Sequence, residues 1–156
     1  MAKSKFVYVT YIATTVDRLW QALLDAEFTR QYWGQDNISD WKPGSKWEHR
    51  CGDGTGTVLI VGKVVENDRP RRLVVTWADP ADAANTAVHS RVTFEVEPIN
   101  KMVRLTVTHD ELPSESDMMR KISNGWPRVL SSLKSLLETG KPLDTWANQS
   151  TSCSAA

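Results

Sequence analysis

The segment that most constrains this fold is the one from Lys121 to Gly140. Its Trp126, Val129, Leu130, Leu133, Leu136 and Leu137 recur at i, i+3, i+4, i+7, i+10 and i+11, so all six share one face of a helix. Met118 and Ile122 extend the same stripe toward the N-terminus. A long amphipathic helix that arrives after a succession of strands needs a sheet to lie on. If that sheet is curved, the gap between the two becomes a cavity, and function turns on whether the chain closes around a ligand. Pro127 lacks an amide hydrogen and crowds the preceding turn, which predicts a kink or break near Gly125 to Pro127. Gly140 suits the end of the helix, and Pro142 blocks its continuation.

Upstream, Phe6 to Ile12 reads as a strand rich in β-branched and aromatic residues. A helix follows, with Thr14 or Thr15 as its cap and Val16, Leu19, Trp20, Leu23 and Leu24 as its apolar stripe. A second short helix is expected from Glu27 to Trp33, capped by Asp25 and ended by Gly34. The turn Trp41-Lys-Pro-Gly-Ser45 introduces five strands, placed at Ser45 to Cys51, Thr57 to Glu66, Arg72 to Trp77, Arg91 to Glu97 and Val103 to His109. Short turns between these strands favour a meander. Ser114 or Ser116 is the expected cap of the terminal helical region. The order predicts an α+β fold with a curved antiparallel sheet of about six strands around a long C-terminal helix. One domain is expected over residues 1–140, with a polar, disordered tail over 141–156.

Nineteen basic and 19 acidic side chains leave no net charge, which argues against nucleic acid or an anionic membrane surface as the partner. Arg69, Arg71 and Arg72 form a small basic cluster, read as a solvated turn. Of two cysteines, Cys153 lies in the tail, so no disulfide framework is expected. The sequence shows neither a leader-like apolar segment after its first residues nor a run long enough to span a bilayer, and the expectation is a cytoplasmic protein. Seven tryptophans are the compositional oddity. Indole is a large apolar group with one N–H donor, suited to cores and to pocket walls.

On the strand from Ser45 to Cys51, alternation puts Trp47, His49 and Cys51 on one face. Val103, Leu105, Val107 and His109 likewise point inward on the last strand. His49, Cys51 and His109 could be read as a metal site or a Cys–His nucleophile pair, but no CxxC, HExxH or third orienting group accompanies them. The bland alternative is a polar lining or a satisfied core histidine. Asp110 neighbours His109 but faces the opposite way. Gly52-Asp-Gly-Thr-Gly56 connects two strands and reads as a turn, not a phosphate loop. Trp47, Trp77 and Trp126 are placed to line an aromatic-walled pocket, whereas Trp20 and Trp33 read as packing. Their N–H groups need acceptors, which a ligand or His109 could supply.

Several of these stretches, in this order, resemble the START-like SRPBCC superfamily, the helix-grip fold shared with the major birch pollen allergen. They are Val16-Asp-Arg-Leu-Trp-Gln-Ala-Leu23, Gln31-Tyr-Trp-Gly34, Trp41-Lys-Pro-Gly44, Pro70-Arg-Arg-Leu-Val-Val-Thr-Trp77, Thr106-Val-Thr-His109 and Asn124-Gly-Trp-Pro-Arg-Val-Leu-Ser-Ser-Leu133. Within that superfamily the chain is similar to the branch of the C-terminal domain of the activator of heat-shock-protein-90 ATPase. The resemblance covers residues 5 to 140 and implies a curved sheet gripping the long helix with an apolar cavity between. The leading expectation is a non-enzymatic binder of a small apolar or aromatic molecule, lined by Trp47, His49, Trp77, Phe94, His109, Trp126 and Leu130. The alternatives are a protein-interaction or co-chaperone-like module, and a cavity enzyme using His109 or His49 as acid or base. No cofactor and no metal are expected.

Overall fold

The computed structural model describes residues 3–113 and 116–143. Ser114, Cys153 and the expected tail beyond residue 143 lie outside them. The chain runs β1 (Lys3–Ile12), α1 (Val16–Leu24), α2 (Ala26–Trp33), β2 (Gln35–Ile38), β3 (Lys46–Cys51), β4 (Val58–Asp68), β5 (Arg72–Trp77), β6 (Ser90–Ile99), β7 (Met102–Pro113) and α3 (Asp117–Thr139). Two single 3₁₀ turns, at Pro80–Asp82 and Thr86–Val88, punctuate the loop between β5 and β6. The strands form one antiparallel sheet in the order β1-β7-β6-β5-β4-β3-β2. All but one of its neighbours are consecutive in sequence, as short turns favour. The exception is the pairing of the first strand with the last. This is the α+β helix-grip architecture expected from the order of elements.

The local chemistry of each element is legible. Thr15, not Thr14, caps α1, its Oγ1 accepting from Arg18 N–H at 3.2 Å. Asp25 caps α2, and Gly34 ends it at φ 79°, a conformation glycine takes without cost. Ser116 caps α3 through Met119 N–H at 3.1 Å. Register shifts at Ser4/Phe6, His49/Arg50 and Val64/Glu66 mark bulges, which bend strands and increase their twist. A sheet bent in this way can wrap a helix, as the core residues of α3 require.

Three expectations are corrected. The sheet has seven strands, because Gln35–Ile38 pairs with β3. Several strands run longer than their alternation suggests, β7 reaching Pro113 through Glu111 at φ 59°. And α3 is one unbroken helix through Pro127. Its Ile122, Trp126, Val129, Leu130, Leu133, Leu136 and Leu137 are all buried. Each such side chain contributes about 1.5–3 kcal/mol. Their sum outweighs the roughly 3 kcal/mol that an interior proline costs. The Arg cluster is not a free basic patch: Arg71 pairs with Asp68, and Arg72 bridges Glu66 and Glu95 at 3.0 and 3.3 Å.

Candidate functional site: an aromatic cluster between helix and sheet

Strand alternation and the α3 stripe converge at one end of the core. On β3, Trp47 and His49 are buried, while Lys46, Glu48 and Arg50 face away. Trp77 ends β5, Phe94 lies on β6, and Trp126 follows Ile122 in the buried stripe of α3. Trp33 closes α2, and Trp41 sits in the loop before β3. Most of the rings meet edge to face or tilted, as their quadrupoles favour, while Trp33 stacks with Trp77 and Trp41 with Trp47. Trp77 is the hub, with centroids 5.2 Å from Trp47, 5.6 Å from Trp126, 6.2 Å from Trp33, 5.4 Å from His49 and 5.5 Å from His109.

These rings surround a cavity of about 20 Å³. That is room for about one water-sized group. Its wall is made by Trp33, Trp41, Trp47, Trp77 and Trp126, by His49, Phe94 and Tyr32, and by aliphatic groups including Leu23, Leu73, Val75, Val129 and Leu130, with Asn37 as a polar member. Of the residues expected from sequence, Trp47, His49, Trp77, Phe94, Trp126 and Leu130 all stand in this wall. His109 does not; it lies behind Trp77 and Trp126. Cys51 is buried on the His49 face of β3 but is not part of the wall either. Sequence reasoning missed Trp41, Asn37 and Tyr32 and set Trp33 aside as packing. Trp41 and Asn37 come from segments with no apolar periodicity, so nothing in the pattern pointed inward.

The polar groups are arranged in a readable order. Trp126 Nε1–H donates to His109 Nδ1 at 3.1 Å. The proton of His109 therefore resides on Nε2, which donates to Ser90 Oγ at 2.8 Å. Ser90 in turn donates to the Trp77 carbonyl at 3.1 Å. His49 Nδ1 faces Gln35 Oε1 at 2.7 Å, so it carries the proton and leaves a lone pair on Nε2. Burial holds both imidazoles neutral, lowering each from the usual 6.5 to about 3. Tyr32 O–H donates to the Ala22 carbonyl at 3.0 Å, and burial raises its pKa far above the ordinary phenol value.

Trp47 Nε1–H crosses β4 to reach the Thr76 carbonyl on β5 at 2.8 Å. It passes over Gly62, where an added Cβ would lie 2.2 Å from that nitrogen. Trp41 holds a left-handed φ of 62°, uncommon for a bulky residue. It is kept there by Ser39 Oγ, which accepts from its N–H at 3.0 Å, and by Asn67 Nδ2, which donates to its carbonyl at 2.9 Å. Two polar atoms of the wall stay without partners though buried: Trp77 Nε1 and Asn37 Oδ1. Among the described residues no group of three or more His, Cys, Asp or Glu is placed to hold a metal ion. No helix among them is long and apolar enough to cross a membrane.

The architecture is shared with proteins of known structure. An Aha1 dimer from Colwellia psychrerythraea superposes with a TM-score of 0.71 at 21% identity, over 88% of this chain and 98% of that one. CalU16 from Micromonospora echinospora gives 0.71 at 17% identity, over 92% and 80%. A heat-shock-protein-90 activator from Plasmodium falciparum gives 0.69 at 25% identity, over 85% and 95%. No curated protein matches the sequence. The family model described as activator of Hsp90 ATPase homolog 1-like protein matches residues 13–138, nearly the whole of the described fold, and the chain belongs to that family.

Proposed function

We propose that this chain binds a small apolar or aromatic molecule at the aromatic cluster and performs no chemistry on it. The observation that carries the reading is the cavity wall itself: five indoles around a space that retains two buried, unpartnered polar atoms. Well-packed cores satisfy such atoms, and an unsatisfied donor costs about 1–3 kcal/mol. The cavity of about 20 Å³ is far below the roughly 300–1,000 Å³ of ligand pockets, so a ligand enters by displacing a ring. Trp33 and Trp41 are the half-buried members of the wall and the rings that can yield. The histidines argue against acid–base catalysis: a useful catalytic group has a pKa near the working pH, and these sit near 3. Native mass spectrometry before and after denaturation tests the proposal. A reproducible extra mass released on unfolding supports it. A clean protein mass, together with no saturable change in tryptophan emission across apolar probes, would sink it.

A second reading, a module that contacts a protein partner, is favoured by the family and by the 25% identity to the Plasmodium activator. The outward row Val7, Val9 and Tyr11 on β1 offers it an apolar surface. Its test is the ATPase rate of a purified heat-shock-protein-90 chaperone with and without this chain. A dose-dependent rise supports the reading, and an unchanged rate with no co-sedimentation counts against it.

A further inference from the structure

The unpartnered atoms say more than that something binds. Trp77 is 6% exposed, and its Nε1–H has no acceptor. Asn37 gives its Nδ2 to the Leu23 carbonyl at 2.8 Å, while its Oδ1 has no donor. One unpartnered donor and one unpartnered acceptor therefore belong to the wall of a space that fits one oxygen atom with its hydrogen. No wall residue carries a charge: burial holds His49 neutral and keeps the proton on Tyr32. His109 and Ser90, packed behind Trp77, have their polar atoms engaged with each other and with Trp126 and Trp77.

From this arrangement we infer that the pocket selects a neutral hydroxyl group carried on an apolar body, in preference to the matching hydrocarbon or carboxylate. The inference rests on the ligand-binding reading above. A hydroxyl accepts from Trp77 Nε1–H and donates to Asn37 Oδ1, pairing what the protein leaves unpaired. A methyl group of the same size leaves the donor and the acceptor stranded. A carboxylate offers no hydrogen to the acceptor and meets no cation to offset its desolvation. The body of the ligand takes the place of the Trp41 indole. That ring lies over Trp47 at 6.5 Å between centroids and 25° between planes, on a backbone already held at φ 62°. A fused bicyclic ring matches an indole in size.

Equilibrium dialysis of the full chain against 2-naphthol, 2-methylnaphthalene and 2-naphthoate at neutral pH tests the inference, because the three share a ring system and differ in one group. Expected is 2-naphthol bound about tenfold or more tighter than either of the others, as one buried hydrogen-bond mismatch implies. Trp77→Phe keeps a ring and removes the donor, and should erase the preference for 2-naphthol over 2-methylnaphthalene while leaving 2-methylnaphthalene bound as before. Trp41→Gly opens the mouth at a position whose φ suits glycine and should tighten all three probes without altering their order. Equal affinities for 2-naphthol and 2-methylnaphthalene, or tightest binding of 2-naphthoate, would overturn the hydroxyl preference and leave ligand binding intact. Absence of binding by every probe to both the native chain and Trp41→Gly would overturn the two together.

Discussion

At Gly62 a Cβ would lie 1.9 Å from the Thr76 carbonyl oxygen and 2.2 Å from Trp47 Nε1, closer than atoms can approach. A glycine inside a strand often marks such an approach of another group to the backbone, here the indole of Trp47. Gly62→Ala should therefore lose about 1–3 kcal/mol in urea unfolding, with the Trp47 bond to Thr76 broken. Gly125, in the middle of α3, has nothing within 4 Å of the same added atom. Gly125→Ala should raise stability by about 0.5–1 kcal/mol, because only helix propensity changes. The two indoles at the centre of the cluster should also differ. Trp126→Phe removes the donor to His109 Nδ1 and leaves a buried acceptor stranded, whereas Trp77→Phe removes a donor that had no partner. Trp126→Phe is expected to cost about 1–3 kcal/mol more than Trp77→Phe by denaturant titration. Equal losses would mean that ring volume alone sets the energetics of the cluster.

Among the elements, β1 poses the greatest hazard, since an edge strand with an apolar outer face invites pairing with another chain. Helix α3 guards its C-terminal end. Lys134 Nζ donates to the Tyr11 carbonyl at 2.6 Å, and Ala13 N–H donates to Glu138 Oε2 at 2.8 Å. The two side chains also pair with each other at 2.6 Å, and this hydrogen bond, with that from Ala13, holds the Glu138 carboxyl below its ordinary range. Lys134→Ala with Glu138→Ala should leave the fold nearly as stable and shift the chain toward self-association, read by sedimentation velocity at rising concentration. An unchanged monomer–oligomer distribution would show that the ion pair does not protect the edge. Legibility at this scale follows periodicity. The α3 stripe and the alternation of β3 and β7 name their buried residues because apolar side chains recur at the period of the element. β2 was missed because Gln-Asp-Asn-Ile carries no such alternation; it forms through its register with β3 from Gln35–Cys51 to Ile38–Glu48. The break expected at Pro127 fails for an energetic reason, since a local penalty yields to the burial of a whole helix face.

For the molecule as a whole, the two neutral histidines set an acid boundary. Their folded pKa of about 3 lies below the ordinary 6.5, so between those values the unfolded chain holds protons that the folded one refuses. The stability they lend is complete above pH 6.5 and drains away as pH falls toward 3. Each ring gives a slope of about 1.4 kcal/mol per pH unit inside that window. From pH 6 to 5, where ordinary carboxylates stay ionised, unfolding free energy should drop by about 2–3 kcal/mol, and His49→Gln or His109→Gln should roughly halve the slope. A flat profile over that interval would show that the rings are not buried neutral. The candidate site was readable only in part for a related reason. Alternation places Trp47, His49, Trp77 and His109 inward, but which of them reaches the cavity depends on bulges and on the loop carrying Trp41, neither of which leaves a periodic trace. The crowding of the rings has an optical consequence as well. Indoles separated by only 5.2–6.2 Å around Trp77 couple their electronic transitions and exchange excitation within one another's reach. The far-ultraviolet circular dichroism of the folded chain will therefore carry an exciton signature that weakens when Trp77 alone is replaced, with the Trp33–Trp126 pair at 5.4 Å left to sustain the rest. A guest that parts the rings would announce itself as a change of colour response in an unlabelled protein.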